Sequence, residues 1–325
     1  MSRFERCLSR FDGYRTPMAP VTRRIVHLLS RSSTVRKVAM GTPVVRGVAG
    51  RFVGGEDLQT TISTVRAFND RGIKATMNYH GMHTADPGFA SYAADEAIMA
   101  LEAIRREDLD ANVSVKLTLI GLDISREYCT EQLDRVLAAA SETGGFVRID
   151  MEESRYLDDT LSLYESMAAR WGKETVGIVL QSYLRQRESD LDHYAALGAR
   201  IRLVKGGCRE PAEVAYQSVE EIDAAFMRDI ERLLSAGASP AIASHDAKAI
   251  EWAKYCQERL GLPLHAVEFQ MLQGVKEELQ SALVAEGRPV RIYVAYGNTW
   301  LSHAVANLRV MLRGGSAIGA RSRED

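Results

Sequence analysis

From residue 73 onward the chain alternates between short β-branched runs and longer amphipathic segments, and this alternation constrains the fold more than any other feature. The candidate strands are Ile73–Tyr79, Val113–Leu119, Phe146–Asp150, Val176–Gln181, Ala199–Lys205, Pro240–Ser244, His265–Gln270 and Val290–Val294. Each is short and mostly apolar, as a strand buried on both faces should be. Between them, helical patterns span Tyr92–Glu107, Glu131–Ser141, Tyr156–Ala169, Ala212–Ser235, Ala247–Leu260 and Val275–Glu286. Strands joined through helices run parallel, because the helix is the crossover. Eight successive units predict an α/β fold, a closed (βα)8 barrel in preference to an open doubly wound sheet. No GxGxxG follows any strand, so a Rossmann dinucleotide site is not indicated.

Charge divides the chain. Residues 1–51 hold eleven Arg or Lys against Glu5 and Asp12, while the whole chain of 325 residues has a net charge of only −2. An Arg-rich, acid-poor start reads as a transit peptide, a membrane-surface arm or a helical cap on the domain. The apolar set Ile25, Val26, Leu28 and Leu29 favours the helical cap. The predicted organisation is therefore an N-terminal helical arm over 1–50 and a barrel over 51–325. With 46% hydrophobic and 26% charged residues, disorder, collagen and coiled coil are excluded. No stretch reaches the roughly 18–20 apolar residues of a membrane span. The near-neutral balance gives no global attraction to nucleic acid. Four cysteines (7, 129, 208 and 256) form no CxxC pair, which argues against a disulfide framework or zinc ribbon and for a reducing, cytoplasmic setting.

A barrel places its chemistry at the C-terminal ends of its strands. Those ends read His80, Lys116, Asp150 with Glu152 and Glu153, Gln181, Arg202 with Lys205, Ser244-His245-Asp246, Glu268 with Gln270, and Tyr293. One such group is ordinarily a rim residue; so many on one rim point to a large polar ligand. A metal held by His245, Asp246, Asp150 and Glu152 lacks HxH or HExxH spacing, and Lys116, Arg202 and Lys205 would repel it. Ser244-His245-Asp246 cannot form a triad, since three consecutive residues do not converge on one hydrogen-bond line. A bulky anionic cofactor suits the set better: Arg and Lys pair with phosphates, Gln bonds a heterocycle edge, and Glu accepts from ribose.

Eight segments, in order, resemble the proline dehydrogenase family, FAD-containing (βα)8 barrels that oxidise L-proline to pyrroline-5-carboxylate. They are Phe52-Val53-Gly54-Gly55-Glu56, Ser114-Val115-Lys116-Leu117, Ile149-Asp150-Met151-Glu152-Glu153, Val179-Leu180-Gln181-Ser182-Tyr183, Arg202-Leu203-Val204-Lys205-Gly206, Ala243-Ser244-His245-Asp246, Glu268-Phe269-Gln270-Met271-Leu272 with Gly274, and Arg291-Ile292-Tyr293-Val294. The resemblance implies an FAD site in which Arg202 approaches the flavin N5 and Gln181 the isoalloxazine edge. It implies that Lys205, Gly206 and His245 meet the phosphates or ribityl chain, and Glu268 the adenosine ribose. Lys116 and Asp150 would lie on the substrate side, Asp150 either touching substrate or pairing with Lys116 or Arg202.

The departures from the family pattern fall on the substrate side. The family's Tyr-x-x-Arg-Arg, whose arginines clamp the proline carboxylate, maps onto His303, Ala306 and Asn307 when Gly297 and Trp300 set the spacing; a longer loop moves the pair to Leu308 and Arg309. Lys-Gly-Ala-Tyr becomes Lys205-Gly206-Gly207-Cys208, and Leu-Gly-Glu becomes His80-Gly81-Met82. Glu56 matches a gate residue whose arginine partner is then in question. His80, Cys208, Tyr293, His303 and Asn307 are the expected substrate pocket, with Cys208 as a small filler. Together these imply an FAD-dependent enzyme removing hydride beside nitrogen in a small amine, imino acid or related compound other than free L-proline. The alternatives are an ordinary L-proline dehydrogenase and a flavin-binding barrel without catalysis. Quinone or oxygen would take the electrons, and the basic start would allow peripheral membrane contact.

Overall fold

The structure, a computed structural model, describes residues 53–297 apart from 82 and 186. Eight parallel strands close into a barrel in sequence order: β1 (Lys74–Tyr79), β2 (Ala111–Val115), β3 (Val147–Ile149), β4 (Val176–Gln181), β5 (Ile201–Val204), β6 (Ala241–Ala243), β7 (Glu268–Leu272) and β8 (Val290–Tyr296). Closure is the pairing of β1 with β8, in register from Lys74 opposite Arg291 to Tyr79 opposite Tyr296. Around the barrel lie α1 (Leu58–Asn69), α2 (Pro87–Arg106), α3 (Arg126–Thr143), α4 (Leu157–Trp171), α5 (Glu188–Ala196), α6 (Val219–Ser235), α7 (Ala247–Arg259) and α8 (Glu277–Ala285). The expected arm over 1–50 lies outside the described residues.

Local chemistry sets the helix starts. Asp57, Asp86, Ser125, Ser218 and Asp246 each accept a backbone N–H of the first turn they precede, which satisfies donors a helix start otherwise leaves open. At α6 the Ser218 and Glu221 side chains form a reciprocal capping box. The helix therefore begins at Val219 rather than at Ala212, leaving 206–218 as a loop at the barrel mouth. Two helices escape the sequence pattern. α1 precedes the first strand, and α5 buries only Leu191 and Tyr194, too few to show a period.

Two strands differ from expectation in ways that matter for the site. β2 stops at Val115, because the N–H groups of Leu119 and Ile120 turn back onto the Lys116 carbonyl. Lys116 therefore stands in the turn above the strand. β7 begins at Glu268 and runs to Leu272, while His265 belongs to a short 3₁₀ turn, Leu264–Ala266. That shift puts Gln270 and Leu272 toward the mouth and Glu268 at the opposite end.

Alternate residues of each strand face opposite ways. One set, including Met77, Ile149, Ile178 and Phe269, is fully buried in the apolar layer shared with the helices. The other set fills the barrel and is unusually polar. Tyr293 of β8 reaches Asp150 after β3, and Arg202 of β5 reaches Gln270 of β7. Those elements are not neighbours in the sheet, so the contacts must cross the interior. Ile178→Ala, on the outer set, is expected to lower stability by about 2–5 kcal/mol in urea unfolding while leaving ligand affinity at the mouth unchanged.

Candidate active site

A cavity of about 320 Å³ opens at the C-terminal end of the barrel, within the size range of small-molecule sites. Lys116, Asp150, Gln181, Arg202, Lys205 and Gly206 form part of its wall, as do Cys208, His245 and Tyr293. The sequence-derived site thus converges on one hollow, with two corrections. His80 does not line it. Its N–H is held by the Tyr296 carbonyl at 2.8 Å beyond the end of β1, and burial, then the nearby Lys116 charge, lowers its imidazole pKa to about 4. Glu268, expected at a ribose, also lies off the wall. Its carboxylate pairs with Arg291 at 2.8 Å deep in the barrel, because β7 starts there. Burial alone would raise the Glu268 pKa, but Arg291 holds it at about 2. His303, Asn307 and the other clamp positions, Ala306, Leu308 and Arg309, lie outside the described residues, as does Met82.

At the floor of the cavity sits a buried ion pair. Arg202 Nη1 donates to Asp150 Oδ1 at 2.6 Å, with only 6% and 12% of the two side chains exposed. The Asp150 carboxylate accepts further bonds from Ser114 Oγ at 2.5 Å and Tyr293 O–H at 2.7 Å. Arg202 Nε donates to Gln270 Oε1 at 2.6 Å. Arg202 Nη2 is buried and has no hydrogen-bond partner, and the same is true of Gln181 Oε1. Buried polar atoms are rarely left unmatched, so these two wall residues each keep an unused donor or acceptor. Of the readings open for Asp150, the structure shows the pairing with Arg202.

Toward the mouth, Lys205 is shared between Asp223 and Asp246. Burial, then the Lys276 charge, pushes the His245 imidazole pKa down to about 3, and its Nε2 accepts the Leu272 N–H at 2.8 Å. The ring is therefore neutral with its proton on Nδ1. Gly206 adopts a φ of +113°, and a Cβ there would lie 2.1 Å from the Tyr183 ring. No other residue fits, and the chain passes close to the cavity. Burial and the carboxylates of Glu153 and Glu210 raise the Cys208 pKa to about 11. It is a neutral filler, not a nucleophile. Among the described residues, His83, Glu152 and Glu153 could approach a cation. However, His83 is engaged by Asp123 at 3.0 Å, and Glu152 accepts from the N–H and hydroxyl of Thr118.

Ser114 is the site group that strand-end reading misses. It lies two residues from Lys116 on the same inward face, so period-two alternation marks it.

A proline dehydrogenase family model matches residues 61–301. The chain belongs to that family. It is 35% identical over 281 residues to proline dehydrogenase 1 of Bacillus subtilis subsp. natto, covering 86% of this chain and 92% of the relative. It is 34% identical over 259 residues to a proline dehydrogenase of Deinococcus radiodurans, covering 79% and 84%. A crystal structure of proline utilization A from Bdellovibrio bacteriovorus superimposes with a TM-score of 0.80 at 20% identity, over 96% of this chain and 41% of that one. That likeness concerns the fold. Membership of the proline dehydrogenase family makes the chain a flavin-dependent dehydrogenase acting on a C–N bond.

Neutral histidines, one half-buried and one buried, predict acid sensitivity. Below about pH 6.5 the unfolded chain protonates these rings, whereas the folded chain keeps His80 and His245 neutral down to about 4 and 3. Stability is therefore full above that pH and lost as pH falls toward 3. His245→Gln, which retains an acceptor, should flatten urea midpoints measured between pH 6.5 and 4.

Proposed function

We propose that this chain is an FAD-dependent L-proline dehydrogenase that passes its electrons to a quinone-type acceptor. The observation that carries the reading is the Arg202 guanidinium. It is fixed on two sides by Asp150 and Gln270, buried, and left with Nη2 unmatched beside the cavity. The residues present fit a flavin: a preset cation, an orphan acceptor in Gln181, and a glycine backbone where a side chain would clash. The similarity to curated proline dehydrogenases over nine-tenths of their length supports proline as the substrate.

When bound, FAD supplies the acceptor for the hydride leaving the carbon next to nitrogen. Arg202 stabilises the negative charge that reduction brings, because a cation already oriented in a dry site needs no reorganisation. Gln181 Oε1, unmatched in the wall, would accept from an N–H of the bound heterocycle. Gly206 admits close approach of the backbone. His245 would offer its Nδ1–H, and Lys205, now shared between Asp223 and Asp246, would hold a phosphate. Lys116, among the described residues, is the cation of the wall with no carboxylate within 4 Å. Its ammonium, 3.4 Å from Asn78 Oδ1, holds the substrate carboxylate.

A second reading has one specific observation behind it. Ala306 and Asn307 stand where the resemblance places the clamp arginines. That favours an amine or imino compound without a free carboxylate, since each charge-assisted bond is worth about 1.5–3 kcal/mol. Among the described residues no helix is long and apolar enough to cross a membrane.

Acid precipitation of the purified protein should release free FAD, which a covalent link would prevent. Anaerobic mixing should bleach the flavin at millimolar L-proline. Bleaching by pyrrolidine but not by L-proline would establish the second reading instead. Arg202→Met should lower the reduction potential and slow reduction on the order of 10²-fold, whereas Arg200→Met on the surface should do neither.

A further inference from the structure

The barrel interior below the cavity holds a continuous chain of polar contacts that the proposed chemistry does not use. Arg291 Nε donates to Glu268 Oε1 at 2.8 Å, and Arg291 Nη1 donates to the Ala75 carbonyl at 2.6 Å. Glu268 Oε1 also accepts from Gln270 Nε2 at 2.7 Å. Gln270 Oε1 in turn accepts from Arg202 Nε at 2.6 Å. The arrangement has a direction. Arg202 has only donors and so takes the amide oxygen, and the amide's NH₂ must then find an acceptor on the other side; Glu268 is that acceptor.

We infer that Glu268 and Gln270 are positioning residues that set the orientation of Arg202, and through it the reduction potential of the flavin. The inference rests on the reading of Arg202 given above. Without Glu268, the Gln270 NH₂ is left unmatched in the interior and the side chain loses the anchor that holds its oxygen on Arg202; swung aside to another acceptor, it no longer meets Nε. Arg202 then keeps a single anchor, Asp150, and its guanidinium plane pivots about that bond, carrying Nη2 away from the cavity. Arg291 supplies the countercharge that keeps Glu268 ionised in the interior. A carboxylate so placed has an effect opposite to its sign. As a bare negative charge Glu268 would make the flavin harder to reduce; as the holder of Gln270 it makes reduction easier.

The opposed signs allow a clean test. Glu268→Leu combined with Arg291→Leu removes one charge of each sign, leaving net charge unchanged and the interior apolar, an exchange buried pairs commonly tolerate. Gln270→Leu breaks the relay one step higher with the Glu268–Arg291 pair intact. Both proteins, loaded with FAD, are compared with wild type and Arg202→Met by spectroelectrochemical titration and by anaerobic stopped-flow reduction. Thr76→Val, which breaks the buried Thr76–Asn112 hydrogen bond elsewhere in the barrel, controls for general loss of interior packing. The expected result is a lowered potential in both relay variants, in the direction of Arg202→Met but smaller, with reduction slowed about tenfold and FAD still bound. Thr76→Val should lose thermal stability alone. If both relay variants keep the wild-type potential while Arg202→Met shifts it, the positioning role is overturned. If Arg202→Met itself leaves the potential unmoved, the reading of Arg202 fails and the inference falls with it.

Discussion

The buried pair of Arg202 and Asp150 is the contact on which the rest of the barrel interior depends. Two charges taken out of water are tolerable only when their remaining donors and acceptors are met. Ser114, Tyr293 and Gln270 meet most of them, and those three residues come from β2, β8 and β7. One pair thus ties together strands that the sheet itself keeps apart. Similar volumes of apolar side chain would often be as stable, and most barrels of this kind are filled with branched hydrocarbons. What the charge adds here is a donor left over: a guanidinium in the cavity wall, held in one plane with Nη2 unmatched.

The mouth is built on another principle. Where the floor is rigid through buried hydrogen bonds, the rim is tied by exchangeable ionic contacts. Lys205 shares its proton donors between Asp223 on α6 and Asp246 before α7. Glu210 accepts from both the N–H and the hydroxyl of Ser154, at 2.6 Å each, and so joins the loop after β5 to the start of α4.

The fold was legible because its signal repeats: eight runs of the right length, separated by helical periods, leave few alternatives to a closed barrel. The β4 run was read to the residue, since Val176–Gln181 is buried throughout. Errors arose where apolarity and hydrogen bonding disagree. Val113–Leu119 reads as one run, yet the backbone folds back on Lys116 and the strand ends early. The His265–Gln270 run had the right neighbourhood but the wrong start. Two residues of register were enough to assign Glu268 to the mouth when it belongs to the floor. Most of the site was visible as ionisable or amide groups at strand ends, Gln270 among them; Ser114 was not, because it lies inside a strand and carries no charge to draw notice. Nor can a sequence show which of two arginine-compatible carboxylates, Asp150 or Glu268, reaches Arg202 directly.

Cys208 adds a consequence in the currency of chemical ageing. Oxidants attack thiolates far faster than thiols, and damage begins where thiolate, exposure and redox traffic coincide. Cys208 stands in the wall of a redox site, partly open to solvent. Yet Glu153 and Glu210 beside it, together with burial, keep its pKa near 11, so at pH 7 only about one molecule in 10⁴ carries the reactive form. Burial and the same carboxylate that fastens the loop to Ser154 thereby hold this thiol of the cavity wall in its less reactive form.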